Sequence, residues 1–212
     1  MSIEHILPGD IERRSFEIIE EELQKRNLYV PEEKKFIVKR AIHTTADFEY
    51  AETLAFSENA VSKISELICS GAVIVTDTNM AWAGINKKAA SELGIDVKCF
   101  MADEDVAKEA VSRGVTRATV SMERAAMIKK PVIFAVGNAP TALIKIREMY
   151  DNGTFAPAAV IGVPVGFVNV EAAKELIIET DMTYIVNRGR KGGSNVAAAI
   201  INAFLYTLKV SS

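Results

Sequence analysis

Apolar positions along the chain fall into two regimes. From Asp10 to about Arg26, Phe16, Ile19 and Leu23 recur at helical spacing, with Asp10 placed to cap the helix. A second helix is predicted from Pro31, a residue suited to a first helical turn, through Phe36, Ile37, Arg40 and Ala41. A third, capped by Ser57, carries Val61, Ile64 and Ile68 and stops at Gly71. On this pattern the segment 1–71 is helical.

The period then changes. Short apolar runs appear at Ala72–Thr76, Val97–Met101, Val132–Val136, Ala158–Gly162 and Thr183–Val186. Between the first two lies a short helix near Lys87–Leu93. The later runs are each followed by helical stretches: Asp103–Arg113 continued by Arg117–Ile128, then Thr141–Tyr150, Val170–Glu179 and Ser194–Leu208. Strands that are apolar throughout and alternate with helices imply a parallel sheet covered on both faces. Right-handed crossovers then give an α/β, doubly wound, flavodoxin-like sheet of five strands over residues 72–212, preceded by the helical segment. No repeat or linker divides the chain, so residues 1–212 read as one domain.

Composition narrows the partners. Of 212 residues, 49% are hydrophobic and 25% charged, the balance of a globular protein with a sizeable core. Lys and Arg number 25 against 28 Asp and Glu, a formal net charge of −3. That makes the chain a poor candidate for wrapping nucleic acid, which wants a broad basic face, and any polyanion must be met by a local cluster of cations. The two cysteines, Cys69 and Cys99, suit neither a zinc motif nor a disulfide framework, so no metal site is expected. Nothing near Met1 resembles a signal peptide and no apolar stretch could span a bilayer, so a cytoplasmic protein is expected.

In open parallel sheets, ligands lie beyond the carboxyl ends of the strands. Those ends read Asp77-Thr78-Asn79-Met80, Ala102-Asp103, Gly137-Asn138-Ala139-Pro140, Val163-Pro164-Val165-Gly166-Phe167 and Asn187 through Ser194. In the last, Arg188, Arg190 and Lys191 stand among three glycines ahead of a helix that Ser194 would cap. Such a loop is either a carboxylate or phosphate cradle or an ordinary connection with solvated cations. It has neither P-loop nor dinucleotide-binding spacing. Of the two histidines, His5 lies in a terminal stretch. His43 ends the second predicted helix, and an imidazole exchanges protons near neutral pH. From the residues alone it reads more readily as a surface or C-capping residue, and Asp47, Asp77 and Asp103 more readily as caps or turn residues than as its partners. Met80 and Trp82 could line an aromatic ligand or pack under the sheet edge.

The segments Arg13-Arg14-Ser15-Phe16, Arg40-Ala41-Ile42-His43, Gly137-Asn138-Ala139-Pro140-Thr141-Ala142-Leu143, Gly162-Val163-Pro164-Val165-Gly166-Phe167-Val168 and Arg188 through Ser194 resemble the precorrin-8X methylmutase family, in the same order, from about Ile11 to Leu208. The resemblance implies an isomerase of corrin-ring (cobalamin) biosynthesis. It would move a methyl group from C-11 to C-12 of precorrin-8X or cobalt-precorrin-8, giving hydrogenobyrinate or cobyrinate. It implies a catalytic His43, substrate contacts at Ser15, Arg40 and Arg117, and a homodimer. No cofactor is implied, since any cobalt belongs to the substrate. The stretch Thr44-Thr45-Ala46-Asp47-Phe48 looks closer to the cobalt-dependent branch.

A tetrapyrrole with several carboxylates needs concentrated cations, which Arg14, Arg40, Arg117, Arg188, Arg190 and Lys191 could supply. Met80, Asn138, Thr141, Gly192, Gly193 and Ser194 are expected to meet the macrocycle. The leading helices carry Ser15, Arg40 and His43, so two-fold symmetric dimers with sites shared between subunits are expected. The alternative is a non-catalytic flavodoxin-like module binding a carboxylated or phosphorylated metabolite. It gives no reason for the Asn138–Thr141 and Pro164–Val168 runs.

Overall fold

The structure is a computed structural model that describes residues 7–210; His5 lies outside them. After a short 3-10 turn at Pro8–Asp10 come helices α1 (Ile11–Lys25), α2 (Glu32–Thr45) and α3 (Tyr50–Thr53), strand β1 (Leu54–Phe56) and helix α4 (Ala60–Cys69). Strand β2 (Val73–Thr76), helices α5 (Asn79–Gly84) and α6 (Lys87–Glu92), and strand β3 (Asp96–Cys99) follow. Then come α7 (Glu104–Arg113), α8 (Arg117–Ala125), β4 (Val132–Val136) and α9 (Pro140–Asp151). Strand β5 (Ala159–Gly162), α10 (Val170–Ile178), β6 (Tyr184–Asn187) and α11 (Ser194–Val210) complete the chain.

The sheet has six strands in the order β1-β6-β5-β4-β2-β3. Four of its five pairings run parallel; at one edge β1 lies antiparallel to β6, with Leu54 opposite Asn187 and Phe56 opposite Ile185. Side chains alternate between faces along each strand. Val73, Val75, Val132, Phe134, Val136, Val160 and Val186 point to a core shared with α8, α9 and α10. Ile74, Ile133, Ala135, Ile161 and Ile185 point the other way, to a core shared with α4, α6 and α11. Burial on both faces is why these strands are apolar throughout.

Helix α11 is apolar all round, because one side meets β4 and β5 and the other meets α2. Small residues, Ala197, Ala198, Ala199 and Ala203, let neighbours approach; Gly84 of α5 sits so close that a Cβ there would be 2.9 Å from that of Ala198. The α1–α2 pair therefore forms an extra layer outside α11. It is held by Ile37, Val38, Ala41 and Ile42, all buried, and by the edge-on rings of Phe36 and Phe204. No helix among the described residues is long and apolar enough to cross a membrane.

Three expectations are corrected. The first seventy residues are not all helical, and the sheet has six strands rather than five, because Leu54–Phe56 pairs with the free edge of β6. Three residues are too few for a period to show. Ser57 does not cap α4: its hydroxyl accepts a hydrogen bond from the Tyr184 N–H at 2.9 Å, extending the β1–β6 ladder. Asn59, in the left-handed region at φ 57°, precedes the helix instead.

Candidate active site

Helices α1 and α2 lie side by side, so residues far apart in sequence become neighbours. Ser15 Oγ is 2.7 Å from His43 Nδ1. Phe16, the next residue, has its ring centroid 5.3 Å from that of His43. Arg40 is one turn before His43 on the same face of α2. Its guanidinium lies 4.7 Å from the centroid of Phe16 and 5.0 Å from that of Tyr206. Arg40 also pairs with Glu12, while its Nε is buried without a hydrogen-bond partner. His43 itself is exposed. After Thr45 the chain turns back through Ala46 in the left-handed region at φ 56°. That reversal sends Asp47 away from the helix axis.

At the carboxyl ends of the strands a second cluster forms. Asp77 is fully buried and accepts hydrogen bonds from the backbone N–H groups of Gly137 (2.8 Å), Asn138 (2.8 Å) and Ala139 (2.6 Å). Burial pushes its carboxyl above the usual range, and the three amides oppose that. Thr78 caps α5 by accepting from the Ala81 N–H, and its hydroxyl lies 2.8 Å from that of Ser194. A Cβ on Gly137 would stand 2.6 Å from Ser194 Cα, so only glycine lets these two loops touch. Thr141 and Thr116 share a hydroxyl pair at 3.0 Å, which brings the start of α9 against the start of α8 and Arg117.

The glycine-rich loop between β6 and α11 is rigidly built. Buried Lys174 donates from Nζ to the carbonyls of Gly189 (2.7 Å) and Lys191 (2.8 Å). Buried Asn187 donates to Lys191 O at 2.9 Å and accepts from the Thr53 hydroxyl at 2.7 Å. Gly193 N–H donates to Val163 O at 2.8 Å. Gly192 lies so close to β5 that a Cβ would be 2.0 Å from Val163 O. Desolvation pulls the Lys174 ammonium down to about 8.

The expected cations do not stand as a free cluster. Arg188 pairs with Glu175 and Arg190 with Glu171, both on α10. Lys191 reaches the other way and pairs with Asp47 at 2.5 Å and Glu49 at 2.7 Å. Lys191 therefore ties the strand-end loop to the chain just after His43. The Gly193 amide is likewise engaged with protein, so this loop offers less to a phosphate than its composition suggested. Arg14 faces Glu17 and Glu21 at 3.6 and 3.7 Å. Arg117, Asn138 and Met80 are exposed around the strand ends, Met80 at 72%. Trp82 instead donates its ring N–H to Val97 O and carries Lys87 over its ring.

Two open grooves flank Phe16. One, of about 670 Å³, includes Glu12, Glu17, Glu20 and Glu21 and is ill suited to a polycarboxylate. The other, of about 730 Å³, is lined by Phe16, Phe36, Arg40 and Tyr206, and by Lys35 and Lys39, which pair with Glu20 and Glu32 of the same wall; its aromatic rings and Arg40 suit a flat ligand better. The sequence did not single out Glu12 or Lys174, and it named Asn187 only as the first residue of a strand-end loop. A lysine among apolar residues of an α10-type helix (Val170, Ala173, Ile177) was the available signal for Lys174. Among the described residues no group of three or more His, Cys, Asp and Glu is disposed to hold a metal.

Known proteins resemble this chain in sequence and in fold. A family model described as precorrin-8X methylmutase matches residues 10–207. The cobalt-precorrin-8 methylmutase of Salmonella typhimurium is 39% identical over 206 residues, covering 95% of this chain and 96% of that protein. That of Priestia megaterium is 39% identical over 198 residues, covering 93% and 87%. The crystal structure of a precorrin-8x methyl mutase from Thermus thermophilus superposes with a TM-score of 0.84 at 34% identity, over 95% of this chain and 98% of that one. By sequence over almost its whole length and by fold, this chain belongs to the precorrin-8X methylmutase family of isomerases.

Proposed function

We propose that this isomerase of cobalamin biosynthesis acts on cobalt-precorrin-8, moving a methyl group from C-11 to C-12 of the macrocycle. The cobalt form is supported by the two relatives that share 39% of its residues, both named for it. Migration within one molecule leaves substrate and product isomeric, so the protein adds no atom to the product. What it supplies is a proton and a fixed orientation.

The observation that carries the reading is the 2.7 Å contact between Ser15 and His43 on an exposed face beside Arg40. A hydroxyl can accept from Nδ1–H or donate to bare Nδ1, so Ser15 holds the ring in either protonation state. Nε2 is then the nitrogen that gives its proton to the ring C region and takes it back once the methyl has moved. Arg40, kept flat by Phe16 and Tyr206, would pair with a side-chain carboxylate of the ligand. General acid–base help of this kind is worth about 10²–10⁴-fold.

The reading needs no cofactor of the protein's own; cobalt enters with the substrate. Five parallel strands in the order β6-β5-β4-β2-β3 support a flavodoxin-like description, with β1 as an added edge. A homodimer with shared sites is supported by the apolar side chains left open at the strand ends: Phe167 at 83%, Val168 at 77% and Met80 at 72% exposed. Two cysteines free of disulfides support a cytoplasmic location.

The test is incubation with cobalt-precorrin-8 and, separately, precorrin-8X, followed by visible absorbance. The wild type should convert the cobalt form faster, and folded His43→Ala should bind without converting. Full activity of His43→Ala would overturn the assignment. Mixing His43→Ala with Arg117→Ala subunits should restore activity if sites are shared; none returns if each site lies within one chain.

A further inference from the structure

The order β6-β5-β4-β2-β3 reverses between β2 and β4, and open parallel sheets usually keep their ligand crevice at such a point. Here that crevice is closed by the chain itself. The Asp77 carboxylate follows β2 and lies in the cup formed by three consecutive amides, Gly137, Asn138 and Ala139, at the start of α9. Gly137 packs on the Ser194 backbone, and the Thr78 and Ser194 hydroxyls meet above it at 2.8 Å. Consecutive amides and a helix start make an anion site, and the anion is built in.

The cup does not end at Ala139. Two residues on, Thr141 meets Thr116 at 3.0 Å, and Thr116 caps α8 by accepting from the Thr119 N–H at 3.1 Å. Arg117 is the next residue. One carboxylate therefore stands beneath a turn that carries Asn138 and Thr141 and braces the start of the helix that carries Arg117.

We infer that Asp77 is a positioning residue: as a buried carboxylate ion, it fixes the turn that presents Asn138 and Thr141 to the substrate. This rests on the proposed function only in taking those two residues as substrate contacts. Asp77 cannot itself touch the ligand, since it is fully buried. Its charge matters because every contact made by its oxygens comes from an N–H donor. A protonated carboxyl would aim its O–H at a donor. An Asn at this position would do the same with its NH₂ group, in either flip. Burial pushes the carboxyl up, but three amides within 2.8 Å favour the ion.

The experiment uses isotope-labelled full-length protein. In the wild type, the Asp77 side-chain carbon should show its ionised chemical shift at neutral pH, and the amide protons of 137–139 should lie downfield. In Asp77→Asn those three amides should move upfield, and KM for the tetrapyrrole should rise about tenfold or more with a smaller change in kcat. In Asp77→Ala, added formate should occupy the cup, return the amide shifts and lower KM again, while added chloride of equal ionic strength should not. A protonated Asp77 in the wild type, unmoved amides in Asp77→Asn, or moved amides with unchanged KM and kcat would each overturn the inference. A wild type that converts neither tetrapyrrole would remove the function reading instead, leaving the carboxyl, amide and formate measurements to decide the role of Asp77.

Discussion

Ser15 Oγ and His43 Nδ1 are 2.7 Å apart although 28 residues separate them, because α1 and α2 pack side by side across the outer face of α11. The contact fixes which imidazole nitrogen is left for the substrate. Ser15→Ala should therefore lower kcat about 2- to 10-fold, the worth of one neutral hydrogen bond, with little change in KM. Steady-state rates on cobalt-precorrin-8 check this. An unchanged kcat would mean that packing against Phe16 alone orients the ring.

Glu12 occupies the guanidinium of Arg40. A substrate carboxylate must displace it, so Glu12→Gln should lower KM a few-fold, within the about 1 kcal/mol typical of a part-exposed ion pair. The gain should shrink as salt is raised. A KM that rises in Glu12→Gln would show that Glu12 supports Arg40 in its working position.

Asp47 is held below the usual carboxylate range, first by the hydrogen bond from Lys191 and against the cost of its partial burial. A carboxyl whose folded pKa is depressed contributes stability that is complete above its unfolded value, near 4, and is lost as pH falls through the folded value. Wild type and Asp47→Asn should thus differ in denaturation midpoint at neutral pH and converge in acid. The side chains are 30% and 46% exposed, so the difference should stay below about 1 kcal/mol. Equal midpoints at pH 7 would show that the Lys191 tie contributes nothing to folding.

Gly192 stands where a Cβ would meet Val163 O at 2.0 Å, at φ 158°. The obstacle is the backbone of buried Val163, the residue just after β5, and cannot step aside. Gly192→Ala should cost about 2–4 kcal/mol and lower the melting temperature by several degrees. Gly189→Ala, which meets nothing within 4 Å but has φ 72°, should cost less, about 1–2 kcal/mol. Melting curves compare the two. Equal losses would mean that backbone conformation rather than contact sets the requirement.

The sequence alone established the alternation of helix and strand from Ala72 onward, because burial of both faces makes β2, β4, β5 and β6 apolar runs that no helix period explains, whereas β3, at the sheet edge, is half-exposed and carries Asp96 and Lys98. It also pointed to His43, Ser15 and Arg40, through short motifs whose order matches one family. It could not show β1, since Leu54-Ala55-Phe56 is too short for a period and its pairing depends on an edge formed over 120 residues later. Nor could it show the partners of the cations. Arg188, Arg190 and Lys191 look alike in a loop, but Glu171 and Glu175 stand one turn apart on α10, and Asp47 and Glu49 lie beyond α2. Asp77 was one acid among several in the sequence. Only the parallel pairing of β2 with β4 puts its carboxylate under the 137–139 amides, because that register brings the two strand ends side by side. Local pattern decides what each segment becomes; which charge meets which depends on how the strand ends and the α1–α2 layer come together.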